Sequence, residues 1–309
     1  MLRSPVEEGL DGIAGPNLFE FTRRWDRVIA KTVRAALPLL LGVLLLSTPP
    51  ATDAASRNAA PANNTELQAE LEGYISGLNG TYGVSAVSLS DGSGVFVNDE
   101  TLFPAASMYK LLVMYRIFQA TDRGQLSWSD TVTIRDSDFE EGDGTMWYPG
   151  EQITVSHALW GMIAQSSNVA AYALMRQIGG PDSVAMAAEE LGMTSTTRDP
   201  GFWSTPVDMA RFFYLLAKGQ LVSPSASREM VDILLLQQQE NDRIPLLLPE
   251  EARVPHKTGE DGSVVNDGGI IFGPGGDFVL VIMSQGGALD DEYFAEAKVS
   301  QMIYQQYGQ

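Results

Sequence analysis

The chain has 309 residues, 44% hydrophobic and 19% charged, with 30 Gly and 16 Pro, which is enough for a packed core and excludes disordered and collagen-like classes. Its 39 acidic and 20 basic residues give a net charge of −19; such a body repels phosphate backbones and anionic headgroups, so nucleic acid is not expected as a partner. With no Cys and only two His, His157 and His256, disulfides, thiol nucleophiles, thiolate metal sites and a lipoprotein anchor are excluded, and neither a metal nor an organic cofactor is expected.

Residues 1–64 concern location rather than fold. Arg23, Arg24, Arg27, Lys31 and Arg34 precede a charge-free apolar run over 35–46, and small residues follow over 51–56. That pattern predicts an export signal or an uncleaved membrane anchor, with the remaining chain outside the cytoplasmic membrane. The run is shorter than the roughly 20 residues a spanning helix needs. A Pro/Ala/Asn-rich linker then occupies 49–64.

From residue 65 the pattern is that of a folded body. Leu67, Leu71 and Ile75 form one stripe of a helix over 65–78. Residues 84–89 alternate as a strand, Asp91 to Gly94 is turn chemistry, and 95–97 returns as a hairpin. Helical spacing follows over 107–122, 155–164, 168–178, 183–191, 206–218 and 225–235. The period then changes to strands over 254–259, 268–272 and 277–284, with the tight turn Gly273-Pro274-Gly275-Gly276 before the last. A final helix covers 292–307. The expected architecture is α/β: an antiparallel sheet made from both chain ends, flanked by the terminal helices, with an all-helical subdomain inserted. In residue terms, 65–103 and 250–309 form the α/β lobe and 104–249 the helical lobe, with a cleft between them as the place for a site. A monomer is expected.

Common hydrolase arrangements are absent: there is no Gly-x-Ser-x-Gly and no His-Glu-x-x-His. His157 falls inside an apolar helix as a packed residue, which leaves a Ser-His-Asp triad only His256. What remains is the chain's one Ser-x-x-Lys, Ser107-Met108-Tyr109-Lys110. The spacing puts Lys110 one turn from Ser107, where its amine can take the hydroxyl proton if burial and a nearby cation lower its pKa. Backbone N–H groups at the helix start suit an oxyanion. Taken singly, the pattern is equally an N-capping Ser beside a surface Lys. Ser166-Ser167-Asn168 stands at a junction of two helices, where a helix cap is the plain alternative. Lys257-Thr258-Gly259 stands on a strand, where an edge lysine is. Together they supply a nucleophile, a base, a proton-relaying hydroxyl, an amide and a second ammonium. Gly259 allows close approach to the strand, and the backbone N–H of Glu260 is a second oxyanion donor.

These three elements resemble those of the serine β-lactamases and penicillin-binding proteins, most closely the class A β-lactamases. The resemblance covers about 65–307 and extends to Asn266-Asp267-Gly268-Gly269-Ile270-Ile271-Phe272-Gly273-Pro274 and Thr205-Pro206-Val207-Asp208-Met209-Ala210. It implies a two-lobed fold and an acyl-enzyme on Ser107, with Lys110 and Ser166 handling protons. Asn168 would bind a substrate amide, and Lys257 with Thr258 a substrate carboxylate. The small-molecule partner implied is a β-lactam or a peptidoglycan peptide.

Two departures stand out. The family's deacylating Glu lies in a Glu-x-x-Leu-Asn segment before the Thr-Pro helix; residues 191–204 look shortened and contain no Glu, only Asp199. Glu140 or Glu141, in the acidic stretch 136–143, is a substitute base, and a solvated rim is the alternative. Nearby Trp147 or Tyr148 suits either ligand stacking or packing. The substrate-carboxylate Arg after Lys-Thr-Gly is also missing, and Arg243 is either its replacement or a surface residue. Three functions follow: an exported class A-type β-lactamase, its deacylation slow where no other base replaces the missing Glu; a D-alanyl-D-alanine carboxypeptidase-like enzyme; or a non-turning-over β-lactam or peptidoglycan binder.

Overall fold

The computed structural model describes residues 64–140, 146–199, 201–237 and 241–308. The export segment expected over 35–46 and the linker up to residue 63 lie outside the described residues, as does Glu141. Among the described residues no helix is long and apolar enough to cross a membrane.

Helix α1 (Thr65–Ile75) starts where the Asn64 side chain accepts from Leu67 N at 3.2 Å. Strands β1 (Thr81–Ser88) and β2 (Gly94–Val97) form the expected hairpin. After β3 (Phe103–Pro104) comes a 3₁₀ turn, Ala106–Tyr109, which passes directly into α2 (Lys110–Asp122). Next are β4 (Thr131–Thr133), β5 (Gln152–Thr154), α3 (Val155–Ala164), α4 (Asn168–Gln177) and α5 (Pro181–Glu190). Strand β6 (Trp203–Ser204), α6 (Pro206–Ala217) and α7 (Pro224–Leu234) follow, and the chain closes with β7 (His256–Asp261), β8 (Val264–Ile271), β9 (Phe278–Gln285) and α8 (Leu289–Tyr307).

The five-stranded sheet has the order β2-β1-β9-β8-β7, every neighbour antiparallel. First and last strands meet at its centre, with Val84 opposite Ile282. Alternation then sorts the side chains. Tyr82, Val84, Ala86, Leu280 and Ile282 face a core shared with Leu67 and Leu71 of α1 and Val299 and Ile303 of α8. The opposite face is covered by α6, which packs on β1, β8 and β9. A Cβ on Gly83 would meet Pro206 at 2.8 Å, and one on Gly268 would meet Phe213 at 3.0 Å, so these glycines let α6 sit close.

The elements match the expected order, with three differences. The two-stranded pairs β3–β6 and β4–β5 are too short to leave a period in the sequence. The helix that carries Ser107 and Lys110 begins as 3₁₀ rather than α. Strand β8 starts at Val264 rather than 268, with Asn266, Asp267, Gly268 and Gly269 all buried in the sheet.

Leu280 is fully buried between α1, α8 and the sheet. Leu280→Ala is expected to lower unfolding free energy by about 2–5 kcal/mol, measured as a lower urea midpoint at unchanged slope.

Candidate active site

Lys110 is the first residue of α2 and has no solvent exposure. In the 3₁₀ turn preceding it, residues three apart eclipse one another, and its Nζ lies 2.9 Å from Ser107 Oγ. The same nitrogen donates to Asn168 Oδ1 at 2.8 Å and to the Ser166 carbonyl, and lies 3.3 Å from Ser166 Oγ. From the other side Lys257 Nζ, also fully buried, reaches Ser166 Oγ at 3.1 Å and Thr258 O at 2.9 Å. Ser166 Oγ therefore bridges two lysine nitrogens, one of which touches the Ser107 hydroxyl.

Local backbone makes this possible. Ser166 has φ 52° and Ala106 φ 44°, a left-handed conformation that non-glycine residues hold at a cost and that clusters at functional sites. Capping of α4 is done by Ser167, whose hydroxyl accepts from Ala170 N at 3.2 Å. Ser166 is thus left to the lysines. Gly259 is needed for closeness, but the neighbour is the nucleophile turn itself: a Cβ there would meet Ala105 O at 2.9 Å and Ser107 N at 3.2 Å.

Strand β7 is an edge of the sheet. Ile270 N donates to Pro255 O and Phe272 N to Arg253 O, which fixes the antiparallel phase so that residues 256, 258 and 260 turn their backbone groups away from β8. The N–H of Glu260 and the carbonyl of Thr258 lie along that open edge. On side chains the alternation separates Lys257 and Gly259, on the side of Ser107 and Ser166, from His256. Thr258 Oγ1 accepts from Gln237 at 2.9 Å, a partner that no motif in the chain points to. His256 pairs with Asp267 at 2.9 Å on the face away from Ser107, so the described geometry offers no histidine triad.

The alternatives left open for Arg243 narrow. It is 1% exposed, so the surface reading is overturned. Its Nη2 pairs with Glu260 at 2.6 Å, its guanidinium lies 4.5 Å from the Tyr293 ring centroid, and Tyr293 Oη also donates to Glu260. Asp199 is exposed. Glu140 accepts from Tyr172 Oη at 2.6 Å, one helical turn along α4 from Asn168. Trp147 is packed, 3% exposed and against His157 and Gly161, whereas Tyr148 is 65% exposed. The loop over 191–204 is pinned to the nucleophile segment by Ala105 N donating to Phe202 O at 2.7 Å and by a Tyr109–Phe202 ring stack at 4.7 Å.

Residues 65–307 match the model of the β-lactamase enzyme family. A β-lactamase of Streptomyces albus G is 26% identical over 302 residues, covering 89% of this chain and 96% of that protein. The D-alanyl-D-alanine carboxypeptidase DacF of Bacillus subtilis (strain 168) is 28% identical over 189 residues, 56% of this chain and 44% of that protein. Among solved structures, PBP-A is similar with a TM-score of 0.76 and 26% identity, covering 81% of this chain and 98% of that one; the same values hold for a PBP-A mutant in an acyl-enzyme complex with penicillin G.

Behind β7 lies a buried acidic group. Burial, followed by the charge of Asp267, raises the Glu296 carboxyl well above its ordinary value; Glu292 and Asp242 add to this and Arg243 opposes it. Both Glu296 oxygens are enclosed without a hydrogen-bond partner among the described residues. A carboxyl raised in the folded state stabilises the fold below its unfolded pKa, near 4.5, and that contribution is lost as pH rises toward the folded value. Glu296→Gln is therefore expected to melt above the parent at around pH 8, the gap closing toward acid; a pH series of Tm values checks it.

Proposed function

Because the chain belongs to the β-lactamase enzyme family and is a β-lactamase-type serine hydrolase, we propose that Ser107 opens β-lactam amides through an acyl-enzyme that turns over slowly. Ser107 Oγ attacks the amide carbonyl while neutral Lys110 Nζ accepts its proton. The backbone N–H groups of Ser107 and Glu260 hold the oxyanion. As the tetrahedral intermediate collapses, Ser166 Oγ gives a proton to the departing nitrogen and is resupplied from the lysines, leaving an ester on Ser107. Asn168 binds the substrate side-chain amide. Lys257, Thr258 and Arg243 receive its carboxylate, the planar guanidinium being suited to a two-point contact. The observation that carries this reading is Ser166 Oγ shared by Lys110 and Lys257 beside Ser107.

Slow turnover is supported by the loop over 191–204, whose only carboxylate, Asp199, is exposed; without a positioned base, water attacks the ester poorly. It is supported as well by the acyl-enzyme complex of the PBP-A mutant with penicillin G. The carboxypeptidase relative supports a second reading, cleavage of D-alanyl peptides by the same Ser107 chemistry. We place the protein outside the cytoplasmic membrane, on the basic-then-apolar pattern ending at 46.

Intact-mass spectrometry with penicillin G is expected to show a lasting adduct on the parent and none on Ser107→Ala; rapid return to free protein would refute slow turnover. Release of D-alanine from a wall peptide decides for the second reading. Arg243→Ala is expected to slow acylation by carboxylate-bearing β-lactams about 10- to 100-fold, the scale of one charge-assisted contact, read from stopped-flow adduct formation; unchanged kinetics would remove Arg243 from the substrate site.

A further inference from the structure

The far end of α2 carries positive charge that acylation does not use. Arg116, Gln119, Arg123, Gln125, Gln177 and Ser183 line a cavity of about 190 Å³ where α2 ends against the end of α4 and the first turn of α5. Arg123 follows the last residue of α2, a full helix length from Lys110, about 20 Å at about 1.5 Å per residue. This is separate from the Ser107 cluster.

Arg116 is 8% exposed. Its Nε donates to Ser183 O at 2.9 Å, and its Nη1 to Gln119 Oε1 at 2.7 Å and Glu190 Oε2 at 2.8 Å. Among the described residues no group accepts from Nη2, although a guanidinium carries donors on all three nitrogens. Arg123 stands two turns further along the same helix face, exposed, with no carboxylate partner among the described residues. Glu190 is the carboxylate engaged here, against two guanidiniums, so the cavity is locally positive on a chain of net charge −19. Gln125 and Gln177 add carboxamides, each able to donate and accept.

We propose that this cavity binds a small carboxylate bearing hydroxyl or amide groups beside the charge, the chemistry shared by a sugar acid and the C-terminus of a short peptide. The carboxylate bridges Arg116 Nη2 and Arg123, where fork geometry matches its two oxygens. The glutamines take the neighbouring polar groups. A phosphate offers the same charge but nothing for the carboxamides at its periphery.

Calorimetric titration of the full chain tests this with sodium glucuronate, N-acetylglycine, glucose and inorganic phosphate. Glucuronate or N-acetylglycine is expected to bind with Kd in roughly the millimolar range or tighter, the tighter of the two identifying the source, and glucose is not. Arg123→Ala, an exposed change, is expected to weaken binding about ten-fold, as is Gln177→Ala by a smaller factor, while Ser107→Ala leaves it unchanged. No heat from either acid, full binding by Arg123→Ala, loss of binding in Ser107→Ala, or phosphate binding tighter than both acids would each overturn the assignment. Because Ser107→Ala removes acylation but not this binding, failure here is distinct from failure of the acylation chemistry.

Discussion

A lysine nitrogen with no access to water must satisfy its protons from the protein, and Lys110 does so on Ser107 in its own turn and on Ser166 and Asn168, which are far away in sequence. That requirement organises the molecule. It draws the start of α4 onto the start of α2, turns the Ser166 carbonyl inward through a left-handed residue, and fixes Asn168 by its oxygen. Lys257 then closes the arrangement from β7. Two lysine nitrogens share one hydroxyl in a space closed to solvent, an expensive arrangement unless every donor is directed. The directions come from a 3₁₀ turn, an edge strand and a helix start, each rigid for its own reason.

Strand β7 has two roles separated by its pleat. Lys257 and Gly259 look toward the nucleophile, and His256 looks into a layer containing Asp267, Glu292, Glu296 and Arg243 under α8. Arg243 links the layers, since its partner Glu260 is the residue whose backbone lies on the open edge.

Much of this was legible beforehand, for reasons visible in particular residues. Leu67, Leu71 and Ile75 share one buried face because helical spacing leaves them no other. The Ser107–Lys110 spacing predicts a contact in either α or 3₁₀ geometry, so the reading survived the difference between them. What could not be read was pairing across distance. Phe103 opposite Ser204 is a two-residue strand with no period of its own. Asp267 carries no local sign that His256 stands beside it. Burial of Arg243 depends on Tyr293 and Glu260, one from a helix and one from a strand, and no local pattern connects them.

The central sheet joins the two ends of the folded body, β1 lying between β2 and β9. During synthesis the opening hairpin has no partner on its inner edge until β9 has been made, after all of the intervening helices. A nascent chain of this topology keeps an unpaired strand edge while the helices between β2 and β9 are being made. Closure of the sheet is thereby delayed until strands from both sides of the intervening helices are present.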